Sequence, residues 1–340
     1  MHEKITLAHG SGGVEMQDLI EKLILTKFKP GKVGGGVGLI DMEDSATIPL
    51  GDVHVVVTMD SYTVNPIFFP GGDIGKLAIT GTINDLVVKG AKPLAIMDSI
   101  VVEEGFSVSE LNRILDSMRK IVKSEGIALI GGDFKVMPRG SLDQIVISTV
   151  GIGIAKANEL LLDSNVKPGD AIIITGTIGE HGAVIMALQS GIDVSSTTLR
   201  SDCEPLTKVM NIVVGVGGVH AAKDPTRGGL AMALNEMAKK SGVTIVIEED
   251  KVPIRDEVKA YCEMLGIDPL VLACEGRALL AVSSDRADDI VEALRSEGYV
   301  DACIIGKAVQ GRPGYVLMRT SIGGLVVVEP PRGEIVPRIC

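Results

Sequence analysis

The sequence predicts a mixed α+β protein, built as two α/β halves with a short C-terminal tail. Three observations carry that expectation. Short β-branched runs recur along the chain, and helical patterns lie between them in irregular alternation. The strand-rich first half ends at AKANELLLDSNVKPGD, where a Pro-Gly-Asp turn opens a new run. A length of 340 residues also favours about two domains. The expected units are 1–155, 156–328 and a mobile tail over 329–340.

The runs HVVVTM (54–59), LAIMDSIVV (94–102), IVISTVGIGI (145–154), AIIIT (171–175), VTIVI (243–247) and ALLAVS (278–283) read as strands. Helices are expected over 14–27, 74–90, 107–126, 179–190, 201–214, 227–241, 255–265 and 286–297. The clearest is 107–126. Ser107 with Glu110 forms a capping-box signature, and Leu111, Ile114, Leu115, Met118 and Val122 share a face. Gly126 fits its stop. No short-period repeat is present.

Hydrophobic residues make up 46% of the chain while aromatics make up 3%, so the core must be aliphatic. A net charge of -11 repels phosphate backbones and argues against nucleic-acid binding, but suits cations and nucleotides bound through them. The five cysteines show no CxxC or zinc spacing, which suggests a reducing compartment. No signal peptide or bilayer-length apolar run is read, so a cytoplasmic protein without a membrane role is expected. Four of the cysteines, at 203, 262, 274 and 303, lie in or beside apolar runs and read as buried thiols. Cys340 differs: it ends EPPRGEIVPRIC, whose prolines at 330, 331 and 337 disfavour helix and central strand. That tail is either a frayed terminus or a carrier.

Four aspartates stand beside strand ends or glycine-rich turns: Asp44, Asp60, Asp85 and Asp224. Singly, each reads as a turn or cap residue. As a converging set they would repel one another unless a divalent cation, naturally Mg²⁺ with nucleotide phosphates, neutralised them. The glycine clusters HGSGG (9–13), PGGDIG (70–75) and TRGGL (226–230) precede helices and could hold anions, though none is a P-loop or dinucleotide fingerprint. GGDFK (131–135), following the strand IALI, offers Asp133 and Lys135, the latter as an acid/base, a phosphate contact or only a solvated loop residue. Glu275, between two apolar runs, must be paired with Arg277 or Arg227, or be functional.

Together AHGSGG, MDSYTVNPIFFPGGDIGKLAITGTINDL (59–86), GGDFKVMPRG (131–140), DPTRGGLA (224–231), CEGR (274–277) and the terminal PRIC resemble the HypE family of hydrogenase maturation proteins. That family sits in a superfamily with aminoimidazole ribonucleotide synthetase and selenophosphate synthetase. The resemblance spans nearly the whole chain. One departure is Phe134, where a small hydroxyl residue is expected. The resemblance implies a homodimer with ATP in a cleft beside its interface, and Mg²⁺ at Asp44, Asp60, Asp85 and Asp224. It places Asn84, Gly10, Ser11, Gly12, Asp133 and Arg227 with the nucleotide.

It further implies that Cys340 accepts a carbamoyl group from a HypF-like carbamoyltransferase, and that ATP drives its dehydration to a thiocyanate. The nitrile then passes to iron on a HypC- and HypD-like scaffold, as a cyanide ligand for nickel–iron hydrogenase. Glu275 is the expected base, and Lys135 is expected to orient the carbonyl oxygen or stabilise the transferring phosphoryl group. At the thiol, Arg338 is expected to oppose the terminal carboxylate. Another synthetase of the superfamily is a rival reading, but selenophosphate synthetase uses a cysteine or selenocysteine near the N-terminus, and none precedes residue 203 here. A nucleotide-regulated docking protein, whose tail only binds partners, is the other.

Overall fold

The computed structural model describes residues 4–194, 196–333, 336 and 338–340. Pro337 of the tail and the first three residues of the opening stretch lie outside the described residues. The chain starts with helix α1 (Val14–Leu19), which runs into a π turn over Ile20–Ile24 instead of continuing as one α-helix to 27. Strands β1 (Ala46–Leu50) and β2 (Val53–Tyr62) follow, then the two-residue strands β3 (Phe68–Phe69) and β4 (Gly72–Asp73). Helix α2 (Ile74–Val88), β5 (Lys92–Glu103), α3 (Val108–Ser124), β6 (Ala128–Met137) and β7 (Ile145–Lys156) complete this half. Its sheet has the order β1-β2-β7-β5-β6, antiparallel except where α3 carries the chain from β5 to a parallel β6.

Helix α2 is apolar nearly all round and correspondingly buried, with its polar positions Thr80, Thr82 and Asn84 also inside. Asp73 caps it, accepting the Gly75 and Lys76 N–H groups at 2.8 and 2.9 Å. The PGGDIG donors are therefore taken by the chain's own carboxylate and are not an anion cradle. In α3 the Ser107 cap accepts the Glu110 N–H, and Ile114, Met118 and Ile121 are buried while Leu115 faces solvent. The apolar face is thus turned slightly from the one read in the sequence.

Strand β6 departs from expectation more sharply. It does not stop at Ile130 but continues beside β5, from Gly131 opposite Met97 to Met137 opposite Glu103. Gly132 makes this possible, because a Cβ there would lie 1.9 Å from Asp98 Oδ1. The GGDFK stretch is therefore sheet edge, not loop.

The second half contains β8 (Ala171–Ile174), α4 (Glu180–Gln189), α5 (Thr207–Val216), β9 (Val219–Lys223), α6 (Gly229–Ser241), β10 (Thr244–Glu248) and α7 (Asp256–Leu265). It ends with β11 (Leu279–Val282), α8 (Ala287–Ser296), β12 (Cys303–Val309), β13 (Tyr315–Arg319) and β14 (Leu325–Val327). The sheet order is β14-β13-β10-β12-β8-β11-β9. Helix α5 begins at Thr207, not 201, because Pro205 disfavours helical geometry at the residue before it. The extended stretch this leaves carries Asp202 into the interior.

One continuous aliphatic cluster joins the halves, running from Ile79, Ile83 and Ile96 to Val184, Met210 and Leu280. It also takes in Val336 and Ile339 of the tail. The tail turns inward along α1: Pro331 O accepts the Val14 N–H at 3.1 Å, and the Gly333 N–H donates to Glu15 Oε2 at 3.1 Å.

Candidate active site

A cavity of about 990 Å³ opens between the two halves. Four elements bring its carboxylates together. The loop before β1 supplies Asp44, the end of β2 supplies Asp60, α2 supplies Asp85, and the end of β9 with the turn after it supplies Lys223, Asp224 and Arg227. The Thr58 hydroxyl ties two of these segments, lying 2.6 Å from Asp85 Oδ2 and 3.0 Å from the Asp44 carbonyl. Gly12 lines the same wall with φ +80, and a Cβ there would sit 2.4 Å from the Arg227 Cβ. Only glycine lets that loop close over the arginine.

The four aspartates fall into two electrostatic classes. Burial alone would raise the Asp44 pKa, but Lys223 and Lys89 outweigh it and hold the carboxyl below its usual range. Asp44 belongs to a buried ion cluster. Lys89 Nζ is 2.8 Å from Glu43, 2.8 Å from Asp163 and 3.2 Å from Asp44. Lys223 contacts Asp44 and is 3.1 Å from Glu236, and Lys240 is 2.8 Å from Asp163. The other three aspartates are pushed the opposite way. Burial, then the charges of Asp60, Asp224 and Asp44, lifts Asp85 well above the carboxylate range. Burial and Asp44 lift Asp224 to about 7, and burial raises Asp60 against the pull of Arg227.

Asp224 Oδ2 and Glu275 Oε1 are buried and accept no hydrogen bond among the described residues. Such atoms are costly unless something else supplies a partner. Among the described residues no three carboxylate, imidazole or thiol groups close on one point as a metal cage. The donor set fits a cation that arrives already carrying phosphate oxygens, bound by a few carboxylates and not enclosed by protein.

Glu275 sits in the turn before β11, essentially without solvent exposure. Burial, followed by Asp202, Asp224 and Asp60, drives its pKa well above normal, with Arg227 opposing. Arg277 is not its partner. That guanidinium lies 3.3 Å from Glu180 and 3.8 Å from Asp202. Asp202 in turn accepts the Glu275 and Gly276 N–H groups at 3.1 and 3.3 Å, fixing the turn that aims the carboxyl.

The tail delivers Cys340 to this place. Its main-chain oxygen accepts the Thr63 N–H at 3.0 Å and the Thr63 hydroxyl at 3.1 Å. The Asn65 N–H donates to Arg338 O at 3.1 Å. Burial, with Glu275, Asp60 and Asp85 nearby, pushes the thiol up to about 12 against the pull of Arg227. The guanidinium at the thiol is therefore Arg227. Arg338, expected there from the sequence, turns to Asp143 and to the Thr63 carbonyl, the latter at 2.7 Å.

Several expected site residues stand elsewhere. Lys135 and Asp133 pair with each other at 2.8 Å, both largely exposed on the edge strand β6 and outside the cavity. Phe134 on the same strand is exposed as well. Their strand continues where a loop was expected, and that carries all three away from the cleft of their own chain. Asn84 is turned inward: its amide donates to Glu275 O at 3.0 Å and Glu204 O at 3.3 Å, and accepts the Leu206 N–H at 2.8 Å. It ties α2 to the second half and does not face the cavity. Gly10 is exposed, and Ser11 Oγ lies 2.9 Å from both Ala8 O and Gly333 O, so these two shape the loop against the tail. Sequence reading missed Lys89, Asp163, Lys223 and Asp202. A lysine inside the apolar run LVVKG was the one available signal, of the same kind that singled out Glu275.

Comparison with known proteins gives a consistent answer. The AIR synthase related protein family matches through its N-terminal domain over residues 42–155 and its C-terminal domain over 167–319. Carbamoyl dehydratase HypE of Rhodobacter capsulatus is 41% identical, covering 99% of this chain and 98% of its own. That of Escherichia coli K12 is 36% identical, covering 99% of each chain. A crystal structure of hydrogenase maturation protein HypE in complex with ATP superposes with TM-score 0.81 at 37% identity, covering 99% of this chain and 100% of that one. A HypE–HypF complex gives 0.85 at 39% identity, covering 92% of this chain and 99% of its counterpart. With its carboxylate-lined cleft, its inward-turned terminal cysteine and this full-length similarity, the chain belongs to the HypE family of carbamoyl dehydratases.

Proposed function

We propose that this chain uses ATP to dehydrate a carbamoyl group carried on Cys340, leaving a thiocyanate that supplies the cyanide ligand in nickel–iron hydrogenase assembly. The single observation that carries the reading is the position of Cys340: the last residue of the chain is held by Thr63 next to Glu275, Asp60, Asp85 and Arg227. A docking tail would have no need of a thiol held among acid–base groups, which disfavours the partner-binding alternative. The dehydratase names of the relatives favour the same choice.

The chemistry follows from the leaving group. In Cys–S–C(=O)–NH₂ the oxygen cannot depart as oxide. Attack of that oxygen on the γ-phosphorus releases ADP and converts it to a phosphate ester. The nitrogen then gives up two protons, one as the C=N bond forms and one as phosphate leaves with the original oxygen. The product is Cys–S–C≡N. Glu275 is the base for these protons in our reading, because its site raises the proton affinity of the carboxylate and, among the described residues, no hydrogen-bond donor competes at Oε1. Arg227 faces the developing charge at the cargo. Mg²⁺, when bound with the phosphates, would neutralise charge at the transferring group. Asp60, Asp85 and Asp224 would hold it, with Asp44 already ionised beside Lys223.

In this reading the unit over 1–155 carries ATP and dimerisation, 156–328 closes the cleft, and 329–340 swings between partners. The exposed apolar residues Leu129, Ile130, Phe134 and Val136 on the β6 edge support a homodimer, since such an edge invites pairing with a second copy. The tail would meet a HypF-like carbamoyltransferase first and a HypC- and HypD-like iron scaffold last. A free thiol acceptor needs a reducing compartment, so the reaction is assigned to the cytoplasm. Intact-mass analysis tests the whole reading: the carbamoylated chain should lose one water when MgATP is added, and not without it. Full retention of the water with MgATP present would refute it.

A further inference from the structure

Among the buried titratable side chains that the mechanism does not use, His181 touches the tail next to Cys340. His181, the second residue of α4, has no solvent exposure. Its Nε2 is 2.7 Å from the carbonyl oxygen of Ile339, one residue before Cys340. Its Nδ1 is 2.8 Å from Ser201 Oγ, and its ring meets the edge of Phe69 at 5.3 Å and 82°. The partners fix the tautomer. A carbonyl can only accept, so Nε2 carries the hydrogen and Nδ1 must accept the Ser201 hydroxyl. Ser201 Oγ in turn accepts the Cys203 N–H at 3.2 Å, and the Ser201 N–H is anchored on Pro70 O at 2.8 Å. A directed chain of hydrogen bonds therefore runs from the second half of the molecule into the tail backbone.

We propose that His181 is a positioning residue for the reaction: it grips the Ile339 carbonyl and thereby sets how much of the tail stands docked, with Cys340 in the cleft. The contacts from Thr63 and Asn65 all come from the first half of the chain. Among the described residues, His181 is the side chain of the second half that holds the tail backbone, so it closes the grip across the cleft. Its loss would leave the carbonyl of the buried Ile339 unpaired, which favours the released tail. The purpose of this grip rests on the dehydratase reading, but the grip itself does not.

Alkylation of Cys340 by iodoacetamide in the full-length protein, followed by peptide mass spectrometry, measures the released fraction. A docked thiol with its pKa near 12 is unreactive, and a released one is not. His181→Phe keeps the ring against Phe69 and removes the donor. Cys340 should then react about fivefold to 150-fold faster, the range for leaving a buried carbonyl unpaired. His181→Gln, whose amide can donate from nearly the same place, should restore the slow rate. Cys303, the other partly exposed thiol, should be unaffected. Should His181→Phe fail to fold, Ser201→Ala removes the group that orients the ring and should raise the Cys340 rate by a smaller factor. An unchanged Cys340 rate in the variant that folds, or a parallel rise at Cys303, overturns the proposal. In single turnover His181→Phe should lower the maximal rate of conversion and leave the half-saturating ATP concentration unchanged. Wild-type protein that fails to lose water would count against the dehydratase reading alone and leave the alkylation result standing.

Discussion

Replacing Asp224 with asparagine is expected to stabilise the nucleotide-free protein above neutral pH while removing its response to MgATP. Asp224 is buried, one of its oxygens accepts no hydrogen bond among the described residues, and burial with Asp44 raises its pKa from 3.8 to about 7. A carboxyl whose folded pKa exceeds its unfolded one holds its proton longer in the folded state. Its contribution is fully present below about pH 4 and is lost as the pH climbs through about 7. At about 1.4 kcal/mol per pH unit, the gap between the two values makes the ionised residue worth about 4 kcal/mol of lost stability. For a chain of this length unfolding as one unit, that is roughly 6 °C in Tm. Asparagine mimics the neutral acid and cannot ionise, and Asp85 and Glu275 lose a like charge in the same variant. Differential scanning calorimetry of both proteins from about pH 4 to 8 reads the effect. The two Tm curves should lie close together at the acid end and separate with rising pH, the variant above. MgATP should raise the Tm of the wild type only. A variant less stable than wild type at pH 8 without nucleotide, or a difference that does not change with pH, would refute the reasoning.

Three further outcomes are expected. Glu275→Gln should keep nucleotide binding but slow water loss from the carbamoylated chain by about 10²- to 10⁴-fold, the range for removing a positioned base. The wild-type rate should climb with pH as the raised carboxyl ionises, and quenched-flow mass analysis of the variant should show no such limb. Adding one residue after Cys340 should sharply slow conversion, because the Cys340 carbonyl is already pinned by two donors from Thr63; a normal rate in the extended chain would count against a fitted terminus. Lys89→Met should cost about 3–5 kcal/mol in urea unfolding, since it leaves Glu43, Asp44 and Asp163 without their shared, fully buried cation.

Much of this molecule is legible along the chain. The cores of β2, β5 and β7 follow from β-branched runs, α3 from its spacing and cap, and the aliphatic interior from the scarcity of aromatics. The acidic positions Asp44, Asp60, Asp85 and Asp224 were recognisable because charge beside an apolar run is locally visible, Glu275 for the same reason, and Cys340 because it ends a proline-bearing polar tail. What those groups touch was not visible. Strand β6 runs on through two glycines, with Asp98 of the neighbouring strand occupying the empty side of Gly132, and this takes Lys135 and Asp133 out of the cleft. Asn84, one residue from a site carboxylate, points the other way because a helix turns about 100° per residue. The split of the aspartates into one ionised and three with raised pKa values depends on Lys89 and Lys223, which fold in from positions far apart in the chain. The choice of Arg227 over Arg338 at the thiol, and the hold of His181 on the tail, likewise depend on long-range packing. Residue types and local periodicity are written in the sequence; electrostatic neighbours are set by distances that exist only once the two halves have closed on each other.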